Sequence, residues 1–214
     1  MTRGRGRTAK GGRRTRSFIN GNVVLKVDMT DLKGKMELCR NVLTQPQFEK
    51  LMYRTFNEVG KRAKTVIGQE TTKDYVVTQQ WVKSNIGHYQ LSFGGGFPVT
   101  CKIPLKSHKG TIGGRFKAYK LQKGVSSSIV RTGRSRLPAK MPDRLGGNPP
   151  FLPNNKKGTV AFTRKGKARL PIIRVVGLGV PQMPLNRAAP RVQDALLEKA
   201  GDRLERNFLY MFGK

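Results

Sequence analysis

Two segments of the chain place apolar residues at the three- and four-residue spacing of an amphipathic helix. In the first, residues 47–67, these are Phe48, Leu51, Met52, Phe56, Val59, Ala63 and Ile67. In the second, residues 190–212, they are Val192, Leu196, Ala200, Leu204, Phe208 and Met211. Because this spacing puts the side chains on one face, we predict two helices that pack together against a sheet. Pro46 suits the first turn of the N-terminal helix, Gly60 weakens its middle, and Gly68 marks its end.

Short segments of period-two character occupy the stretch between these helices. They are HYQLSF, FPVTCKIPL, GRFKAYKL and SSSIVRT, separated by glycine-rich turns. This pattern predicts the strands of an antiparallel sheet. Four lysines are placed to point away from the apolar face and to give the sheet a basic surface: Lys102, Lys106, Lys117 and Lys120. Residues 72–82 fit either a short helix capped by Thr72 or a further strand.

Turn-forming residues predict two hairpins. Asn20-Gly21 lies between apolar runs, which favours a hairpin in residues 17–40. The apolar runs GTVAF and RLPIIRVVGLGV lie on either side of residues 164–167 and predict a second hairpin, in which Gly166 allows the turn. Gly177 and Gly179 should end the last of these strands before the C-terminal helix.

The organisation that follows is an α+β protein built on one antiparallel sheet and two amphipathic helices. Residues 41–214 form a single domain, with a long loop at 132–158 that contains five prolines and is expected to be functional or part of an interface. A hairpin-like extension at 17–40 precedes the domain. Residues 1–16 form a basic arm with seven Arg or Lys, four Gly and no acid, too polar to fold alone. The arm is either a solubilising tail or a segment ordered on a partner.

Charge is distributed very unevenly along the chain. Between Tyr75 and Gln193 the only carboxylate is Asp143, against 22 Lys and Arg, and the formal net charge of the chain is +31. A compact monomer with this charge repels itself, so we expect a polyanion or acidic partner subunits. The candidate interface cations besides the four lysines above are Arg3, Arg5, Arg7, Arg13, Arg14, Arg16, Arg131, Arg134 and Arg136.

Groups for catalysis, cofactor binding or metal binding are not predicted anywhere. Asp143 has no second carboxylate nearby in sequence, and His88 and His108 are isolated from any nucleophile. Cys39 and Cys101 have no metal-ligand spacing and are packing thiols or, in the minority case, a disulfide. No stretch approaches the apolar length that a bilayer needs, and no secretory apolar stretch follows the basic N-terminus, so we expect a cytosolic site of synthesis.

One segment, GTVAFTRKGKARLPIIRVVGLGVPQM at residues 158–183, is the most specific text in the chain. It resembles the phage minor tail protein Z family, whose members carry roughly G-V-F-x-R-x-G-x-x-R-L-P-I, then a Gly, then V-P-Q-M and a C-terminal amphipathic helix. The matching residues are Arg164, Gly166, Arg169, Leu170, Pro171, Ile172, Gly177, Val180, Pro181, Gln182 and Met183. The resemblance extends in style over residues 47–212, with the basic strand KIPL and the early helix NEVGKRAKTVI as further points of likeness.

The resemblance implies a structural virion protein at the head-proximal end of a phage tail, active in tail completion and head–tail joining. It implies the tail terminator, the tube, the head–tail connector and the end of the tape measure as neighbours, and we expect a homo-oligomeric ring with contact to genomic DNA. No membrane and no small-molecule substrate are expected.

The main alternative is a basic nucleic-acid-binding protein of the ribosomal or chromatin kind, favoured by the arm and the basic middle of the chain. Phe116, Tyr119 and Trp81 would then be candidates for stacking on bases, although they also suit a core. An enzyme such as a basic nuclease is a distant third, because it needs an acid cluster or a histidine pair.

Overall fold

A computed structural model describes residues 16–19, 22–94, 97–143, 147–153 and 160–212. The predicted Asn20-Gly21 turn lies outside these residues, and so does the basic arm apart from Arg16, which begins the first strand. The helices are α1 (Lys33–Val42), α2 (Gln45–Asp74), α3 (Gln79–Ser84) and α4 (Ala189–Phe212). A 3-10 turn, Thr30–Leu32, precedes α1, and a π-helical turn, Pro184–Ala188, leads into α4.

The strands form four antiparallel sheets, and with the helices they confirm the predicted α+β class. A four-stranded sheet has the order β1-β2-β4-β3, from the strands β1 (Arg16–Ile19), β2 (Asn22–Asp28), β3 (Gln90–Gly94) and β4 (Phe97–Leu105). A three-stranded sheet, β6-β7-β8, consists of β6 (Lys117–Lys120), β7 (Val125–Ser128) and β8 (Ser135–Arg136). The two remaining pairs are β5 (Lys109–Thr111) with β11 (Val176–Gly179), and β9 (Phe162–Arg164) with β10 (Ile172–Arg174).

The prediction of one continuous sheet was wrong. β4 pairs with β2 on one edge and with β3 on the other, so neither edge is left for β6. Between β4 and β6 the chain is held in the core by Ile112 and Phe116, each 1% exposed. The Phe116 ring packs edge-on against Trp81, with 6.3 Å between ring centroids. Because both sides of β4 are already paired and Ile112 and Phe116 are held in the core, the chain does not continue alongside β4, and β6 begins a second sheet.

The N-terminal segment is part of the main sheet. β2 lies between β1 and β4, and its residues Leu25 and Val27 face Ile103 and Cys101 across the ladder. All four of these side chains are at most 2% exposed and belong to one core. The segment that the sequence places in an extension therefore contributes two of the four strands, β1 and β2. Helix α1 was not predicted, because only Met36 and Cys39 of its apolar residues are buried.

The predicted face of the first helix is buried, and that of the second is buried from Val192 to Leu204 and partly buried at Phe208 and Met211. The predicted end of the first helix was wrong. α2 continues six residues beyond Gly68 to Asp74. A β-carbon at Gly68 would lie 2.8 Å from Cγ of Gln79, so this glycine gives α3 a close approach instead of ending the helix. Gly60 similarly faces the ring of Tyr89. Thr78 caps α3, because its hydroxyl accepts a hydrogen bond from the amide of Trp81 at 3.4 Å. Thr72, the predicted cap, lies inside α2 instead.

Helices α2 and α4 pack antiparallel and are joined by polar contacts along their length. Near the end of α4, Asn207 donates a buried hydrogen bond to the hydroxyl of Thr55 at 3.1 Å. At its start, Arg191 pairs with Glu70 at 3.2 Å and with Asp74. The hydrogen bond from Arg191 to Asp74 raises the pKa of the guanidinium. These contacts fix the register between the two helices.

Replacing Arg191 by Gln should lower the free energy of unfolding by about 1 kcal/mol, because Glu70 is largely buried and loses one of its two cationic partners. Lys73→Gln is the matched control: Lys73 contacts the same carboxylate from solvent, with 61% of its side chain exposed, and should cost less than about 0.5 kcal/mol. Urea unfolding followed by circular dichroism measures both. Equal losses for the two variants would show that Arg191 does not link the helices.

Both cysteines are free and buried, as packing thiols. Cys101 lies on the core face of β4, where burial raises the pKa of its thiol to about 12. Burial also raises the pKa of Cys39, on α1. A thiol that is protonated at neutral pH is a poor nucleophile and a poor metal ligand, so neither residue suits reactive chemistry.

Candidate functional site

The first half of the family-like motif forms an exposed hairpin, residues 162–174, here called the motif hairpin. β9 and β10 pair with Ile172 opposite Arg164, and the amide of Lys165 donates to the carbonyl of Pro171 at 3.0 Å. The Leu170-Pro171 peptide bond is cis. Leu170 is 69% exposed and Ile172 is 43% exposed. The hairpin therefore exposes two apolar side chains, one on either side of Pro171, flanked by basic residues.

The motif hairpin is fixed to the body by the long loop before it. The side-chain amide of Asn148 donates to the carbonyls of Arg164 and Gly166, at 3.0 and 2.9 Å. Phe151 exchanges two backbone hydrogen bonds with Phe162, at 2.8 and 2.9 Å. The predicted loop at 132–158 thus holds the hairpin in place over its described residues. The predicted turn around Gly166 is present between β9 and β10, and because this glycine has open space around it and no positive φ, the turn does not require a glycine there.

The second half of the motif is buried and anchors the start of the C-terminal helix. Val180 and Met183 are fully buried, and the side-chain oxygen of Gln182 accepts a hydrogen bond from the amide of Gly179 at 2.9 Å. Gly177 lies against Phe116, where a β-carbon would be 2.8 Å from the ring. Gly179 ends a strand, as predicted, whereas Gly177 lies inside that strand, β11, which pairs with β5. The motif therefore combines an exposed half with an internal anchor.

A basic cleft lies on the outer face of the three-stranded sheet. Paired residues share a face, so Lys117 and Tyr119 of β6 lie on the same side as Ser128 and Ser126 of β7 and Arg136 of β8. The cleft has a volume of about 390 Å³. Its lining consists of Val76, Lys117, Tyr119, Ser128, Arg131, Thr132, Gly133 and Arg134.

Contacts with the protein hold the arginines beside this cleft. The guanidinium of Arg134 stacks on the ring of Tyr119, with 3.9 Å from its central carbon to the ring centroid. Arg131 donates from Nε to the carbonyl of Thr72 at 2.6 Å, at the C-terminal end of α2 where a cation is favourable. Arg136 donates to the carbonyl of Lys123 at 2.6 Å. Each guanidinium is therefore oriented and keeps further N–H groups available.

The cations of the cleft are not neutralised within the part of the chain that the structure describes. Lys117, Arg131, Arg134 and Arg136 form no salt bridge with any described carboxylate. Described carboxylates that pair with cations include Glu37 of α1 and Glu58, Glu70 and Asp74 of α2. The positive potential of the cleft is thus free to act on an external anion.

The predicted basic residues are brought together only in part. Lys117, Arg131 and Arg134 line the cleft, and Arg136 shares that face of the sheet without lining the cleft. Lys102 belongs to β4 and Lys106 follows it, in a different sheet. Lys120 lies three residues after Lys117 and so on the opposite face of β6, at the end of the strand. The prediction that all four lysines share one basic surface was therefore wrong. The arm residues Arg3 to Arg14 lie outside the described residues, and Arg16 pairs with Leu25 in β1.

Sequence reasoning missed the role of Tyr119 as a support for Arg134, because the two residues are separated by a strand and a loop. Trp81 and Phe116, the other candidates for base stacking, are core residues at 7% and 1% exposure. A second groove, of about 670 Å³, lies between β2 and the start of α4. Its lining carries Lys26, Asp28 and Asp194, a mixture of charges that favours no particular ligand class.

The described ranges contain neither a metal-ligand cluster nor a membrane-spanning helix. No group of three or more His, Cys, Asp or Glu there lies close enough to hold a metal ion. None of the described helices is long and apolar enough to cross a membrane. Comparison of the chain with family models, curated proteins and solved structures finds no match.

Proposed function

We propose that this protein is a structural component of a tailed-phage virion, at the head-proximal end of the tail, where it takes part in tail completion and head–tail joining. The observation that carries the proposal is the motif hairpin: the residues that resemble the minor tail protein Z family form a braced element with Leu170 and Ile172 exposed. Apolar side chains held out in this way are characteristic of interfaces. The proposed role is architectural and not enzymatic.

The partners proposed are the tail terminator, the head–tail connector, the tube and the end of the tape measure, together with further copies of this chain in a ring. A chain with a formal charge of +31 stacks on its own copies only where acidic neighbours or DNA lie between them. The motif hairpin would form the joining contact, and the basic arm would reach a neighbouring ring. The proposed location is the virion neck, after synthesis in the host cytoplasm.

Mass spectrometry of gradient-purified particles tests the proposal directly. The protein should be present in several copies per particle, remain after high-salt washing, and localise to the neck by cryo-electron microscopy. Its absence from mature particles, together with recovery only from the cytosol of infected cells, would contradict the proposal.

A nucleic-acid-binding protein of the ribosomal or chromatin kind is the second candidate, favoured by the basic cleft. It predicts co-sedimentation with ribosomes or nucleoid instead of particles. Fractionation of the same lysate therefore distinguishes the two functions by where the protein is found.

A further inference from the structure

We propose that the basic cleft on the β6-β7-β8 sheet binds the phosphodiester backbone of DNA. This inference deepens the proposed function and rests on it for the presence of DNA beside the protein. The proposed ligand is DNA, and the residues proposed to contact its phosphates are chiefly Lys117 and Arg134.

The shape of the cleft suits a phosphate group. Ser128, a small side chain, lines the cleft beside the longer Lys117 and Tyr119, and Ser126 lies on the same face of β7. Lys117 lies directly opposite Ser128, and Tyr119 directly opposite Ser126. A volume of about 390 Å³ admits a phosphate with its adjoining sugar, and the hydroxyls of Ser128 and Thr132 add to the donors of the lining.

The cations of the cleft are oriented before any ligand arrives. Arg134 is held by its stacking on Tyr119, and Arg131 by its bond to the carbonyl of Thr72. A planar guanidinium held in this way loses little side-chain entropy on binding and presents a fork of N–H donors that matches a phosphate. Preorganisation of this kind raises affinity without additional contacts.

The lining favours DNA over an acidic protein surface. Protein interfaces concentrate their energy in buried apolar and aromatic anchors. None of the exposed large apolar side chains of the described residues lines the cleft, and those of the motif hairpin, Leu170 and Ile172, lie on a different element. The cleft offers cations and hydroxyls, which are the groups that contact the DNA backbone without reading its sequence.

The test is fluorescence-anisotropy titration of a 20-base-pair labelled duplex of mixed sequence with the full chain, between 50 and 300 mM salt. Lys117→Gln/Arg134→Gln should weaken binding on the order of 10- to 100-fold at 0.1 M salt and lower the magnitude of the salt slope by about 2, one for each lost phosphate contact. The matched control is Lys50→Gln/Lys61→Gln, which removes the same charge from exposed positions of α2 and should change binding by less than about threefold.

A second measurement uses the unmodified protein and so does not depend on how a variant folds. The duplex should protect Lys117 from acetylation, as read by mass spectrometry, and leave Lys61 reactive. Equal DNA binding by the cleft and control variants, or no protection of Lys117, would overturn the inference. The inference would also be overturned if Lys117→Gln/Arg134→Gln lost binding to poly-glutamate but kept its binding to DNA, because the partner would then be an acidic protein. These outcomes are independent of whether the protein is found in particles, which tests the proposed function.

Discussion

Replacing Gly177 by alanine is expected to lower the free energy of unfolding by about 1–3 kcal/mol, the usual cost of overpacking a core. The added β-carbon would lie 2.8 and 2.9 Å from two atoms of the Phe116 ring and 3.1 Å from a methyl of Ile112. Both neighbours are 1% exposed, and Phe116 also packs against Trp81, so the Phe116 ring cannot shift without disturbing other core contacts. The backbone pairing of β11 with β5 would have to adjust instead.

Gly166→Ala is the control for this prediction, because it makes the same chemical change at another glycine of the motif. Nothing lies within 4 Å of a β-carbon at Gly166, and its backbone has no positive φ. The substitution should be neutral or stabilise by up to about 1 kcal/mol, through a less flexible unfolded chain. Chemical denaturation of both variants measures the difference between their free energies of unfolding. A Gly177 variant as stable as Gly166→Ala would mean that β11 does not pack against Phe116 as described.

The second large effect is expected in assembly. Leu170→Ser/Ile172→Ser should leave the free energy of unfolding within about 0.5 kcal/mol of the parent, since both side chains are exposed. If the motif hairpin forms the joining contact, loss of two anchors should weaken that contact roughly 30-fold or more. Complementation of a phage that lacks this gene, scored as plaque yield, measures the effect.

Leu209→Ser is the matched control for assembly. Leu209 is 62% exposed on α4, outside the motif, and its replacement should complement normally. A hairpin variant that complements fully, with Leu209→Ser defective, would move the joining surface to the helical face of the molecule.

Periodicity alone predicted the two long helices, because each buries one face against the other and the burial repeats along the sequence. It could not decide what a glycine in such a helix does. A glycine at position 68 is typical of a helix end, yet Gly68 lies inside α2. The side chain of Gln79, a residue outside the helix, packs on it.

The pairing of the strands was harder to predict from the sequence, for a related reason. Which strand pairs with β4 depends on β2, more than 70 residues earlier in the chain, and local patterns do not record such pairings. The basic cleft likewise depends on the path of residues 129–134, which bring Arg134 over Tyr119 and Arg131 to the end of α2. The abundance of cations was visible in the sequence, whereas their division among different sheets was not. The functional predictions stay predictions.

The carboxylates that α4 carries affect how neighbouring molecules approach each other. α4 carries four cations and four carboxylates and is electrically neutral, whereas the cleft and the motif hairpin have cations alone. Two approaching copies therefore repel least when their α4 surfaces face each other, because this keeps the cationic surfaces farthest apart, and a head-to-tail ring must overcome a larger repulsion. This preference acts before contact, over about 10 Å at 0.1 M salt, so ionic strength would govern how readily a ring begins to form.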